Sequence, residues 1–170
     1  MPASADLPEG LWTGGRLTIV RHAPQPGSDS ASLLEAWMSP GQGPNAFLHE
    51  RTDTLYHLLE GAMTFQVDGV LTTLRPGDSV FAARGVAHTY RVDGDTVARV
   101  LMIGTPGSPW VDYFRAIGQP APALSLPPAD FVPLPMDTVH RAADANGMRF
   151  VGTRLPGASR TGAKSPDDDH

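Results

Sequence analysis

The chain of 170 residues contains no cysteine. That absence removes disulfides, thiolate-bound zinc, iron–sulfur clusters and thiol nucleophiles together, and it suits a reducing, cytoplasmic setting. Lysine is almost missing too. Of 13 Lys and Arg residues only Lys164 is lysine, in a polar tail, so Schiff-base chemistry lacks a usable amine. No apolar run approaches the roughly 18 residues a membrane span needs. The opening Met-Pro-Ala-Ser-Ala-Asp-Leu-Pro-Glu-Gly has neither the basic nor the apolar region of a secretory leader. A cytoplasmic chain with no membrane partner is expected. Basic residues do not cluster and the net charge is -5, which argues against a phosphate-tracking surface and so against nucleic acid as a partner.

Turn formers, by contrast, are abundant, with 18 Gly and 17 Pro. They disfavour long helices, while 41% hydrophobic residues suffice for one core. From Arg16 to Ile103 the turn signals recur roughly every eight to twelve residues, the spacing of an all-β sandwich or barrel. Strands are predicted at Leu17 to His22, Ser32 to Met38, Thr54 to Leu59, Met63 to Val67, Val70 to Leu74, Ser79 to Ala83, Val86 to Val92 and Thr96 to Ile103. Asp68-Gly69 reads as a two-residue hairpin turn. Further on, Trp110, Phe114 and Ile117 have helical spacing after Pro109 and before Gly118. Asp137 is a candidate cap for a second helix from Thr138 to Asn146, stopped by Gly147. The expected organisation is an N-terminal segment (1–15), a barrel (16–105), an arm with two short helices and a Pro-rich connector (106–154), and a disordered tail (155–170).

Two stretches carry the candidate chemistry. One ends in Tyr56-His57-Leu58-Leu59-Glu60-Gly61; the other runs from Pro76-Gly77-Asp78 to Arg84-Gly85-Val86-Ala87-His88. With the hairpin between them, these motifs resemble the cupin superfamily in order and spacing, and within it the quercetin 2,3-dioxygenase-like and polyketide cyclase-type monocupins. The resemblance covers roughly residues 10–152 and implies a double-stranded β-helix, a jelly-roll-like barrel. It also implies a metal site built from His-x-His, a Glu five residues later and a His of the second motif. Here those positions hold Phe47, His49, Thr54 and His88, and Ala83 replaces the second motif's usual proline. Two of the four ligands are present. The cofactor expectation is therefore none, or one divalent metal weakly held by His49 and His88. Asp53, through a bulge, or Glu35, from the preceding strand, are the candidates to complete such a site.

Strand alternation places Thr54, Tyr56 and Leu58 on one face and Leu55, His57 and Leu59 on the other. If Thr54 faces the cavity, His57 faces away, on an outer surface or in a contact between subunits. His49, His88, Tyr56 and Tyr90 are the candidate catalytic residues, since two imidazoles and two phenols can serve acid–base chemistry. Phe47, Thr54, Leu58, Trp37 and Phe65 are the candidate substrate wall, although Phe65 and Phe81 also read as core. His22 and His140 read as solvated or structural, and Arg84 as a turn residue. There is no phosphate loop, nucleophile elbow or His-Glu-x-x-His.

The leading functional expectation is an enzyme acting on a hydrophobic aromatic or polyketide-like small molecule by non-oxidative cyclisation, dehydration or isomerisation, because the resembled group includes polyketide cyclases. The alternatives are a metal-dependent dioxygenase and a non-catalytic small-molecule binder. Leu55, His57 and Leu59 form a partly apolar outer stripe, and with the resemblance they point to a homodimer.

Overall fold

The computed structural model describes residues 8–158. The strands are β1 (Glu9–Thr13), β2 (Arg16–His22), β3 (Ser32–Met38), β4 (Phe47–His49), β5 (Asp53–Glu60), β6 (Met63–Val67), β7 (Val70–Leu74), β8 (Ser79–Ala82), β9 (His88–Val92), β10 (Ala98–Thr105), β11 (Gln119–Pro120) and β12 (Met148–Phe150). The helices are α1 (Ser108–Ile117) and α2 (Met136–Ala145). Two antiparallel sheets result, ordered β11-β1-β2-β3-β10-β5-β8 and β12-β4-β9-β6-β7. This is the all-β architecture expected, with a small helical part.

Each sheet turns one face inward, and the period of two decides which residues are buried there. Thr54, Tyr56 and Leu58 of β5 are fully buried, whereas Leu55, His57 and Leu59 are only partly so. Met102 pairs with Tyr56 and with Leu34, so the same phase continues through β10 and β3. Across the interior, Phe47, Met63, Phe65, Tyr90 and Val92 complete the core. The hairpin between β6 and β7 turns at Asp68 (φ 50°) and Gly69 (φ 78°), two consecutive left-handed residues that match the strand twist.

The N-terminal segment and the arm are both part of the sheets. β1 pairs with β2, which makes residues 9–13 sheet, and β12 pairs with β4 through Phe150–Phe47 and Met148–His49. Helix α1 buries Trp110, Val111, Tyr113 and Phe114. It sits close to β10 because Gly104 has no side chain; a Cβ there would lie 2.9 Å from the Trp110 ring. Helix α2 starts two residues earlier than expected: Pro135 holds the N-cap and Asp137 lies in the first turn, where its charge still complements the helix dipole. The Pro-rich connector begins as β11, paired with β1, and continues along β1, with the Trp12 indole donating to the Ser125 carbonyl at 2.7 Å. Of the expected disordered tail, Leu155 is buried, and residues 159–170 lie outside the described residues.

Candidate functional site

The motif residues meet inside the barrel. β4 carries Phe47 and His49 inward, β5 carries Thr54 and Tyr56, and β9 carries His88 and Tyr90. The Tyr56 hydroxyl and His88 Nε2 are 3.0 Å apart, and His88 Nδ1 lies 3.1 Å from the Val86 carbonyl. The carbonyl can only accept, so Nδ1 carries the proton and Nε2 accepts from Tyr56. Both nitrogens of His88 are thus committed. His49 is different, because its Nε2 is buried without a hydrogen-bond partner, as is the Thr54 hydroxyl.

Burial governs the titration of these groups. It lowers His49 from the usual imidazole value to about 3, assisted by the neighbouring His88. It also lowers His88, opposed by the bond to Val86, and it raises the Tyr56 phenol despite the nearby Arg16 charge. At neutral pH His49, His88 and Tyr56 are uncharged. Phe47 lies against both imidazoles, its ring centroid 4.4 Å from His88 and 5.6 Å from His49.

Two imidazoles with no carboxylate beside them are an incomplete ligand set for a divalent metal. The His49 and His88 ring centroids are 6.1 Å apart, His88 Nε2 is already hydrogen-bonded to Tyr56, and Phe47 lies against both rings. Neither candidate third ligand turns inward. Asp53 takes the Arg84 guanidinium at 2.8 Å and the Arg84 backbone N–H. Glu35 is on the outer face of β3, bonded to Arg21 and Arg99 at 2.7 Å each and to the Trp37 indole. Its burial would raise its pKa, but those three partners hold it below the ordinary carboxylate value. Among the described residues no three His, Cys, Asp or Glu side chains come together as a metal site.

The open space lies to one side of this interior. A cavity of about 400 Å³ lies between the barrel mouth and the two helices, with Arg16, Phe47, Tyr90, Trp110, Tyr113 and Phe114 on its inner wall and Pro133, Met136, Val139, Met148 and Phe150 on its outer wall. Of the expected site residues only Phe47 and Tyr90 line it. His49, His88 and Tyr56 form a layer behind, separated from the cavity by Phe47 and by Trp110, whose ring centroid is 5.0 Å from that of His49. Thr54, Leu58 and Phe65 are buried in the barrel and do not reach the cavity; Phe65 packs on Tyr56 and Tyr90, at 4.9 and 5.2 Å between centroids.

Trp37 also departs from expectation, since it shares the outer face with Glu35, beneath the Arg99 guanidinium at 5.0 Å. Its neighbours Ala36 and Met38 hold the inward phase. Phe81 is exposed rather than core because it pairs with outward Leu55 while Ala82 takes the inward place opposite Thr54. His57 faces outward and contacts the Ser79 hydroxyl.

Sequence reasoning missed Arg16 and the helical wall. Arg16 lies in phase with Thr18 and Val20, opposite Met38, Ala36 and Leu34, so alternation along β2 directs it inward. Its guanidinium donates to the Tyr90 hydroxyl and, at 3.3 Å, to Met38 Sδ. Tyr113, also on the wall, is pushed up to about 12 by burial, with Arg16 opposing.

The family described as "Cupin domain" matches residues 35–104. Protein SchB of Streptomyces halstedii is 25% identical over 107 residues, covering 63% of this chain and 78% of that protein. Among solved structures, one from Thermotoga maritima described as "a predicted oxalate decarboxylase" superposes with a TM-score of 0.53 at 18% identity, over 60% of this chain and 95% of that one. An RmlC-like cupin from Shewanella frigidimarina gives 0.50 at 21% identity, over 57% and 83%. At these identities the likeness is one of fold. No helix among the described residues is long and apolar enough to cross a membrane.

Proposed function

We propose that this chain, whose residues 35–104 match the cupin domain, is a cupin that binds a hydrophobic, aromatic or polyketide-like small molecule and promotes non-oxidative proton-transfer chemistry on it. The observation that carries this reading is the roughly 400 Å³ cavity walled by aromatic and aliphatic side chains, with Arg16, Tyr90 and Tyr113 among its few polar groups. That is the form of a small-molecule site. The motif resemblance to polyketide cyclase-type cupins supports the substrate class.

The chemistry is an enolisation. Tyr90 accepts a hydrogen bond from Arg16, which leaves its O–H to donate to a substrate carbonyl and strengthens it as a donor. His88 has no free lone pair, so His49 Nε2 is the imidazole nitrogen left to take the proton. Reaching it requires the Phe47 or Trp110 ring to turn aside. A value near 3 keeps His49 neutral but weakly basic, which suits an acidic C–H between two carbonyls and no ordinary one. The same low basicity favours the second reading, a binder without turnover.

Deuterium exchange at the central methylene of an aromatic 1,3-diketone, followed by NMR in D₂O, separates the two. Wild type is expected to accelerate exchange, with Tyr90→Phe and His49→Gln each lowering the rate on the order of 10²-fold or more. Saturable binding without acceleration would leave the non-catalytic reading. We also propose a homodimer formed through the outer face that carries Leu55, Leu59 and the exposed Phe81.

A further inference from the structure

Arg16 is a half-buried cation on the wall of a largely apolar cavity, and among the described residues no anion meets it. Its guanidinium carbon sits 5.6 Å from the centre of the Tyr90 ring and 5.5 Å from that of Phe114. The polar partners of its guanidinium are one phenol and one thioether. Six other arginines meet carboxylates: Arg21 and Arg99 at Glu35, Arg84 at Asp53, Arg91 at Asp93, Arg115 at Glu9 and Arg149 at Glu50. Among the described residues Arg16 has no such pair, and no Asp or Glu lines the cavity it faces.

Taking a guanidinium out of water is costly unless a counter-charge meets it, and a hydrocarbon side chain of similar length would fill this volume at lower cost. Arginine also holds its proton where lysine would lose it, and its planar fork matches a carboxylate through two parallel hydrogen bonds. Burial works against the charge here, opposed by the Tyr113 and Tyr56 phenols, as expected of a group awaiting a partner. A second polar group on the same wall is also unspent: the Gln42 side-chain oxygen is buried with no hydrogen-bond partner.

We propose that the ligand is an aromatic carboxylic acid whose carboxylate seats on Arg16, with its rings against Phe47, Trp110 and Phe114 and a ring hydroxyl within reach of Gln42. This rests on the cavity being the ligand site and narrows its substrate class. The carboxylate supplies the missing anion, and the aromatic wall excludes small hydrophilic acids. Tyr90, held by the same guanidinium, is then positioned beside the bound acid.

The test compares a naphthalene carboxylate with its neutral amide, by calorimetric titration of the full chain at low ionic strength, in wild type, Arg16→Met and Arg16→Lys. The acid is expected to bind wild type at least about tenfold more tightly than the amide. Arg16→Met should bring that preference below about twofold while the amide's affinity stays within about threefold, and Arg16→Lys should keep part of it. Equal binding of acid and amide to wild type, or a preference surviving in Arg16→Met, overturns the proposal. Amide binding isolates the two readings: if the amide binds and the acid gains nothing, the cavity is a ligand site and the anionic class is wrong. If neither binds, both fall. Should Arg16→Met fail to fold, loss of the wild-type preference on raising salt decides instead, because the charge contribution is screened and the apolar one is not.

Discussion

His49 makes the stability of the domain depend on pH in a way that can be calculated. Folded, it titrates near 3; unfolded, it returns to an ordinary imidazole value of 6.5. Between those values the unfolded chain holds a proton that the folded chain refuses, so stability rises with pH across the window and falls on acidification. Above about 6.5 the contribution is fully present. Each unit below it costs about 1.4 kcal/mol, so His49 alone removes about 2 kcal/mol by pH 5, a large share of the roughly 5–15 kcal/mol that holds a domain folded. His88, depressed in the same direction, adds to the loss. Urea denaturation followed by circular dichroism from about pH 7 to pH 5 measures it, with His49→Gln as the comparison because glutamine does not titrate. Wild type should lose about 2 kcal/mol more than the variant over that interval. Parallel pH profiles for the two proteins, or a His49 ring resonance titrating near 6.5, would refute the reasoning.

Glu35→Gln should destabilise by about 1–3 kcal/mol in thermal or urea unfolding. The buried carboxylate joins Arg21, Arg99 and Trp37, and the partial exposure of both arginines keeps the cost at the low end of that for buried pairs. Light scattering should return twice the 18.1 kDa chain mass, falling to the single mass in Phe81→Asp, which puts a charge on the proposed contact face; a wild-type monomer ends the dimer proposal.

The barrel was legible because its signals are local. The Asp68-Gly69 turn and the Pro76-Gly77-Asp78 corner punctuate the chain, and the inward phase of Thr54, Tyr56 and Leu58 follows from alternation alone. Strands β1, β4, β11 and β12 were not predicted, since two to five residues with little alternation are strands only because a partner elsewhere in the sheet pairs with them. The histidines and tyrosines were found by motif, yet whether they touch open space depends on Phe47 and on a helix from the arm, which no spacing rule reports. Trp37 was misplaced because it needed the phase of β3, and Ala36 and Met38 are weak markers of an inward face. Arg16 carried a readable signal, an arginine in step with Thr18 and Val20, but a charged side chain at a strand start reads first as solvated.

Strand β12 also bears on the order in which the molecule can be built. β4, which carries Phe47 and His49, meets β9 through the single pair Phe47–His88, whereas β12 pairs with all three of its residues. During synthesis the one strand that pairs with every residue of β4 is therefore among the last to emerge, after the rest of its sheet has been made. The proposed ligand cavity, walled in part by Met148 and Phe150, lacks that wall until those residues have been made, even where most of the core is already in place.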